Sequence, residues 1–417
     1  MTEVEGRCTP HVRLIGQQTD QRWRRALLAE GIVLPASGRR HVAVVDVTGS
    51  PTASQDILAA SAVAGTEPLV AVTGLNDPLP AGSLNGAEVL RLDRDRPKPL
   101  LRALKSAAHS RLMTDAAALR LRALSAFGQS YPAVRPEGQG GPAALLTDPS
   151  PTVLALIRQA GWKNLVAPLS SSQTLRLLES HHASALVIHL SSEQEHRIPV
   201  LKLIRRQSEL NALPVAVITE NWDDEKAANW FSAGADILAR PSEIEAVMHR
   251  LQRASDRYVC DRTTRLSLHN SCMGDAGEPS AIIGERLFHR IAMEHQAQGD
   301  PLTIGAVELD HESQGTDTDL SEAGVYMAMA LSPLDFICRP RPNLFLVGMP
   351  YADKFYAGRT MRTLQTLIED LKFGHEPDGV LMQARTTFAE SEGNNVPTMQ
   401  AKLVAELLRR RTNLLQA

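Results

Sequence analysis

The chain has 417 residues, with 44 Lys and Arg against 47 Asp and Glu and a formal net charge of −3; at about 100–200 residues per domain, this length holds two to four domains. An apolar fraction of 43% with 22% charged residues excludes a wholly disordered chain, and near-neutral charge gives no global electrostatic case for nucleic acid or an anionic membrane as the main partner. Four cysteines, Cys8, Cys260, Cys272 and Cys338, show no zinc-ligand spacing and fit reduced thiols rather than a disulfide scaffold.

The opening segment MTEVEGRCTPHVR has no apolar signal-peptide core, and no apolar run approaches the roughly 20 residues that span a bilayer. A cytoplasmic protein without a membrane span is the expectation. Residues 11–110 alternate apolar strands with amphipathic helical stretches. The strand candidates are HVRLIG (11–16), IVLPA (32–36), HVAVVDV (41–47), PLVAVTG (68–74) and EVLRL (88–92). Short Val- and Leu-rich strands separated by helices predict a parallel sheet covered on both faces. A helical stretch, TDAAALRLRALSAFG, and a Pro/Gly-rich linker, QSYPAVRPEGQGGP, follow.

The pattern then recurs as AALLTD (143–148), KNLVAP (163–168), ALVIHL (185–190), LPVAVIT (213–219) and DILAR (236–240). PLVAVT matches PVAVIT, GAEVL matches GADIL, and VAVVDV matches ALVIHL, at offsets between about 143 and 148 residues. That is one internal repeat and predicts two tandem domains of one fold. The predicted domains are 10–110, a helix and linker over 111–142, a second copy over 143–256, and a different domain over 257–417.

In the last region a helix is expected near 280–298, a strand at 301–309, a short helix near 320–331, and two strands, LDFICR and NLFLVGM, joined by RPRP as a turn. A helix, a strand GVLMQARTTFA and a closing helix complete an α+β domain with a central antiparallel sheet.

The first two domains resemble receiver domains of response regulators, in which ligands gather at the carboxyl ends of parallel strands. The resemblance places Asp46 at the phosphoacceptor position and Thr73 at the strand-4 position of the first domain. Gln17 and Gln18 stand where a metal-binding acidic pair belongs, Asp20 falls beyond it, and Lys98-Pro99 lies past the aligned position near Leu92. In the second domain Asp148 is the remnant acid, His189 replaces the phosphoacceptor, Thr219 is kept, and Arg240-Pro241 stands for Lys-Pro. Phosphoryl transfer to a carboxylate needs a divalent cation, which prefers carboxylate ligands. The resemblance therefore implies flavodoxin-like folds with vestigial phosphoacceptor sites.

The third domain resembles the GGDEF, or diguanylate cyclase, family. DRTTRLSLHN (261–270) resembles its opening motif, with Asp261, Thr264 and Leu266 kept. PLTIGAVELDHES resembles its first strand, with Glu308 and Asp310 at two carboxylate positions. LDFICRPRPNLFLVGMP (334–350) resembles the signature hairpin, with Asp335, Arg339, Phe345 and Pro350 in register. Arg341, Pro342, Asn343, Leu344 and Phe345 replace Gly-Gly-Asp-Glu-Phe. Pro342 has no N–H to donate, and Leu344 can neither bind a metal nor act as a base. Ser332 replaces the Arg of the family's inhibitory product motif, leaving Asp335. Arg339, Arg341, Arg359 and Arg362 either gather around an anion or stand as solvated charges.

The order receiver–receiver–GGDEF resembles response regulators of the PleD and PopA types. It implies a non-catalytic signalling adaptor with no cofactor and no working metal site. It also implies docking to protein partners as a homodimer in a bacterial cytoplasm, with recruitment to a cell pole as an option. Cyclic di-GMP or GTP is the alternative ligand. His181-His182 reads as a helix end, the basic C-terminus as complementing a helix dipole, and Trp162, Trp222 and Trp230 as packing.

Overall fold

A computed structural model describes residues 11–16, 23–25, 27–29, 41–65, 67–75, 77, 80, 84, 87–92, 98–128, 143–146, 150–159, 162, 165–168, 170–180, 183–190, 197–207, 210–220, 222–270, 280–310, 317–373, 380–391 and 395–416. The expected strand 32–36, Gln17, Gln18, Asp20, Asp148, His181-His182 and the linker from 129 to 142 lie outside them.

The first parallel sheet has strands β1 (His11–Ile15), β2 (His41–Asp46), β3 (Leu69–Gly74) and β4 (Glu88–Leu92), hydrogen-bonded in that order. Alternation sorts its side chains. Val42, Val44, Val70 and Val72 pack on one face with Trp23, Leu27, Leu100 and Leu104. Ala43, Val45, Leu69 and Ala71 face the other way, toward Ile57 and Ala60 of helix α1 (Ala53–Ala64). Burying each such Val or Leu contributes about 1.5–3 kcal/mol. Helix α2 (Lys98–Ser125) begins at the Lys-Pro pair, where proline's fixed φ is preorganised for a first turn.

The second sheet is built from β5 (Ala143–Leu146), β6 (Leu165–Val166), β7 (Ala185–Leu190), β8 (Val215–Thr219) and β9 (Ile237–Ala239). Its spatial order is β6-β5-β7-β8-β9, all parallel, which is the flavodoxin-like 2-1-3-4-5 arrangement. Helices α3 (Pro151–Gln159), α4 (Ser171–Ser180), α5 (Ile198–Arg206), α6 (Asp224–Ala233) and α7 (Ile244–Asn270) accompany it. The chain carries the expected repeat of parallel α/β sheets.

Contacts divide the chain into two units. One comprises residues 9–111 and 135–262 and so both parallel sheets; the other comprises 1–8, 112–134 and 263–417. Within the first, the two copies are joined by reciprocal ion pairs. Glu88 on β4 pairs with Arg257 on α7 at 2.6 Å, and its repeat counterpart Asp236 lies 3.6 Å from Arg102 on α2. Arg91, almost fully buried, donates to both oxygens of Glu243 at 2.6 and 3.0 Å and to the carbonyl of Leu238.

The other unit contains helix α8 (Glu285–Ala297), strand β10 (Leu302–Asp310), helix α9 (Asp317–Ala330) and the hairpin β11 (Phe336–Arg341) and β12 (Leu344–Pro350). Helix α10 (Lys354–Asp370), the short strands β13 (Lys372–Phe373) and β14 (Val380–Leu381), β15 (Gln383–Glu390) and α11 (Val396–Gln416) follow. The sheet β11-β12-β10-β15 is antiparallel, giving the expected α+β domain with a central antiparallel sheet. Leu302, Ile304 and Ala306 pack with α8 and α11, whereas Val307 and Leu309 pack with α9 and α10.

Two local expectations are corrected. The hairpin turn is Pro342–Asn343 alone, because β11 runs on to Arg341. Pro340 is tolerated there because β11 is an edge strand whose register shifts between Cys338 and Arg341. Independently of these, α7 continues through 261–270, so Asp261, Thr264 and Leu266 are helical. The expected single strand near 380 is split into β14 and β15 at Met382.

Candidate functional site

In the first domain Asp46 ends β2, half-buried. Its Oδ1 accepts the Thr48 N–H at 2.9 Å and its Oδ2 the Trp23 indole N–H at 3.3 Å. Thr73, at the end of β3, is 1% exposed, and its hydroxyl donates to Asp77 Oδ2 at 3.3 Å. The same oxygen accepts the N–H groups of Gly49 at 2.7 Å and Gly74 at 2.9 Å. Burial alone pushes the Asp77 carboxyl upward. The Gly49 and Gly74 amides, the Thr73 hydroxyl and the Arg91 charge together outweigh it and hold the group below the ordinary carboxylate value. Arg91 also donates to the Asp77 carbonyl at 2.6 Å.

Sequence reading missed Asp77 and Arg91. The faint signals are an Asp four residues beyond Thr73 and a lone Arg inside an apolar strand. Neither reveals the contact with Gly49, 28 residues away.

In the second domain His189 sits near the end of β7, 6% exposed, with Nδ1 buried and lacking a hydrogen-bond partner among the described residues. Burial pushes its pKa below the ordinary value, and the Glu220 charge offsets this only partly. Thr219 is buried at the end of β8. The exposed Arg240 uses its backbone N–H to bond Glu243 at 2.9 Å, while its guanidinium lies 5.1 Å from the Trp222 ring centroid. Arg91 lies 5.5 Å from the same ring. Trp162 and Trp230 are buried packing residues.

In the third domain Glu308 and Asp310 occupy one face of β10, two residues apart. Register places Arg385 of β15 directly opposite Glu308, and Leu344 opposite it on the other side. The Arg385 guanidinium bonds Asp310 at 2.5 Å and lies 3.6 Å from Glu308. A cross-strand pair of this kind is an ordinary sheet interaction, but here it places a cation between the two acids. Leu344 is 5% exposed and Phe345 fully buried, so neither presents a polar group. Arg341 and Pro342 are exposed at the turn. The Asn343 carbonyl accepts the Leu309 N–H at 2.8 Å, tying the turn to β10.

Arg339 is engaged within the domain. It donates to the Pro342 carbonyl, the Ser321 hydroxyl and Asp317, the last two at 2.7 and 2.6 Å. Arg359 lies over the Tyr356 ring, and Arg362 is exposed. Both line a shallow groove of about 580 Å³ on α10 with Thr363, Thr366, Leu367, Asp370 and Leu371. Asp335 is buried and accepts the Tyr356 hydroxyl at 3.2 Å. The buried Arg120 of α2 donates to the carbonyls of Pro333, Leu334 and Asp335 and to that of Leu268. Sequence reading also missed Arg120 and Arg385.

No protein-family model matches the chain, and no curated protein matches it. Among solved structures it is similar to the GGDEF domain of DgcB from Caulobacter crescentus in complex with c-di-GMP. The identity is 13%, over 34% of this chain and 92% of that one, with a TM-score of 0.28. It is similar to a putative response regulator from Chloroflexus aurantiacus at 19% identity, over 26% of this chain and 96% of that one, with a TM-score of 0.24. A signal receiver domain of a histidine kinase from Syntrophus aciditrophicus matches at 16% identity, over 27% and 89%, with a TM-score of 0.24. Among the described residues no helix is long and apolar enough to cross a membrane.

Proposed function

We propose that the chain is a non-catalytic signalling adaptor of the two-component and cyclic di-GMP type. It docks other proteins, as a homodimer, in bacterial cell-cycle or developmental control. The observation that carries the non-catalytic reading is the Arg385 guanidinium, hydrogen-bonded to Asp310 and 3.6 Å from Glu308. A guanidinium already supplies the positive charge that a divalent cation would bring. Mg²⁺ requires near-octahedral oxygen ligands, and the strand neighbour of Glu308 across from Arg385 is the apolar Leu344. These residues do not fit a metal-assisted phosphoryl-transfer site. Pro342 at the hairpin turn also lacks the N–H that a nucleotide-contacting loop would donate.

The test is incubation with GTP and Mg²⁺, with nucleotides resolved by chromatography. No cyclic dinucleotide is expected. Product that disappears in Glu308→Ala would overturn the reading. Chemical cross-linking of the purified chain, read by mass, is expected to give a dimer; monomer at all concentrations would remove the homodimer from the proposal.

A second reading is a cyclic di-GMP- or GTP-binding effector, favoured by the groove on α10 that carries Arg359 and Arg362. Calorimetry decides it. Affinity tighter than about 10 μM, or roughly −7 kcal/mol, that is lost in Arg362→Ala would establish a ligand there. Arg339 offers a contrast, since Asp317 and Ser321 already hold it.

A further inference from the structure

The sheet β11-β12-β10-β15 has two edges, and they are built differently. β11 carries Pro340 and a register shift between Cys338 and Arg341, devices that discourage a further strand. β15 reads QARTTFAE, with no proline and no lysine. The Ser391 N–H donates to the Leu302 carbonyl at 2.9 Å, which fixes the parity of the ladder. Residues 383, 385, 387 and 389 therefore exchange backbone bonds with β10, and the N–H and C=O groups of Ala384, Phe388 and Glu390 point outward. Among the described residues no strand pairs with that side of β15.

Helix α10 packs over β10 and β15 and lies beside this edge. A Cβ built on Gly358 would lie 3.6 Å from the Phe388 ring, and the Thr386 hydroxyl bonds Gln365 Oε1 at 3.3 Å. Gly358, Arg362, Gln365 and Glu369 thus form one stripe along the edge, at helical spacing. Phe355, a turn earlier, is 74% exposed. Charge is segregated along the stripe. The exposed Arg362 precedes Gln365 by three residues, and the exposed Glu369 follows it by four.

We propose that the open edge of β15 is where a second copy of this chain adds, antiparallel, about a two-fold axis at Thr386. The charge pattern selects that occupant. An axis at Thr386 also passes beside Gln365, so Arg362 faces the partner's Glu369 and Glu369 faces the partner's Arg362. Phe388 comes opposite the partner's Ala384, and the two exchange backbone bonds. Strands about 4.8 Å apart set the two copies of α10 side by side at about 10 Å, the spacing of packed helices. The inference rests on the homodimer proposed above and names its surface.

Sedimentation equilibrium of the full chain tests it. Wild type is expected to form a dimer. Phe388→Pro removes an outward N–H and leaves the ladder to β10 intact, so it should weaken the dimer on the order of a hundredfold. Glu369→Arg sets like charges against each other and should weaken it about tenfold, and adding Arg362→Glu should restore it to within about threefold of wild type. A dimer unmoved by Phe388→Pro and Glu369→Arg, each with native circular dichroism, would overturn this surface while leaving the homodimer standing. So would a double variant as weak as Glu369→Arg alone. A wild type that is monomeric at every concentration would remove the homodimer and this inference together, leaving the edge to an extended segment of another protein. If Phe388→Pro does not fold, the two charge variants decide, since both lie on an exposed helix face.

Discussion

The two parallel-sheet domains share a repeat but close their strand ends in different ways. In the first, Asp46 and Thr73 are held by Thr48, Trp23 and Asp77, so polar groups are met by polar partners. In the second, the position of Asp46 is taken by His189, which is buried and whose pKa burial pushes below the ordinary value. One end is closed by hydrogen bonds to a carboxylate; the other holds a buried imidazole whose charged form desolvation disfavours and whose Nδ1 has no hydrogen-bond partner among the described residues. A shared backbone thus constrains where side chains meet, while the side chains decide whether the meeting point is electrostatic or apolar. The third domain follows the first rather than the second. Its Asp310 is met by the Arg385 guanidinium from the neighbouring strand, which lies 3.6 Å from Glu308, whose Oε2 is buried without a hydrogen-bond partner among the described residues.

The largest expected effect comes from the residue that joins the two copies. Arg91→Ala leaves Glu243 with its bidentate partner gone in a largely buried setting. Breaking one side of a buried pair costs about 3–5 kcal/mol, so chemical denaturation should show the unit containing both sheets losing that much. A loss below about 1 kcal/mol would class the pair with exposed ones and dissolve the contrast.

Arg120→Ala comes next. It deprives the carbonyls of Pro333, Leu334, Asp335 and Leu268 of a donor, and buried acceptors left unmet cost about 1–3 kcal/mol. Protection from hydrogen exchange should fall in the hairpin β11–β12 and not in the parallel sheets.

His189 sharpens the comparison through pH. Its folded pKa lies below the ordinary value of 6.5, so the unfolded chain takes up the proton first. The stabilisation is complete above that value and is lost as pH falls below it, at about 1.4 kcal/mol per pH unit at most. His189→Asn should flatten this part of the stability profile. Asp77 behaves in the same direction but lower, its contribution persisting until pH drops below the ordinary carboxylate value of 3.8. A His189→Asn chain that still loses stability below pH 6.5 as steeply as wild type would erase the distinction between the two closures.

Much of the fold was legible because burial alternates along apolar strands. VAVVD, LVAVT, ALVIHL and VAVIT all became strands, and the repeat announced two copies. The positions of Asp46, Thr73, His189, Glu308 and Asp310 at or near strand ends could be read for the same reason. Their partners could not. Arg385 meets Glu308 across an antiparallel register spanning 77 residues, from 308 to 385, and register is fixed only when the sheet assembles. Asp77 meets Gly49 across two loops, and Arg120 meets Asp335 across 215 residues. Local pattern carries no signal for such pairs. The Pro342–Asn343 turn was missed by two residues because Pro340 reads as a breaker, whereas an edge strand with a bulge accommodates it.

The proposed non-catalytic role requires that the chain's own side chains fill the positions where external ions would act. Manganese titration, followed by electron paramagnetic resonance of the free ion, tests it most directly in the third domain. Wild type should take up no Mn²⁺ saturably, whereas Arg385→Met, which frees Glu308 and Asp310, should gain one site that Glu308→Gln removes again. Stoichiometric Mn²⁺ uptake by the wild-type chain, abolished by Glu308→Gln, would contradict the account.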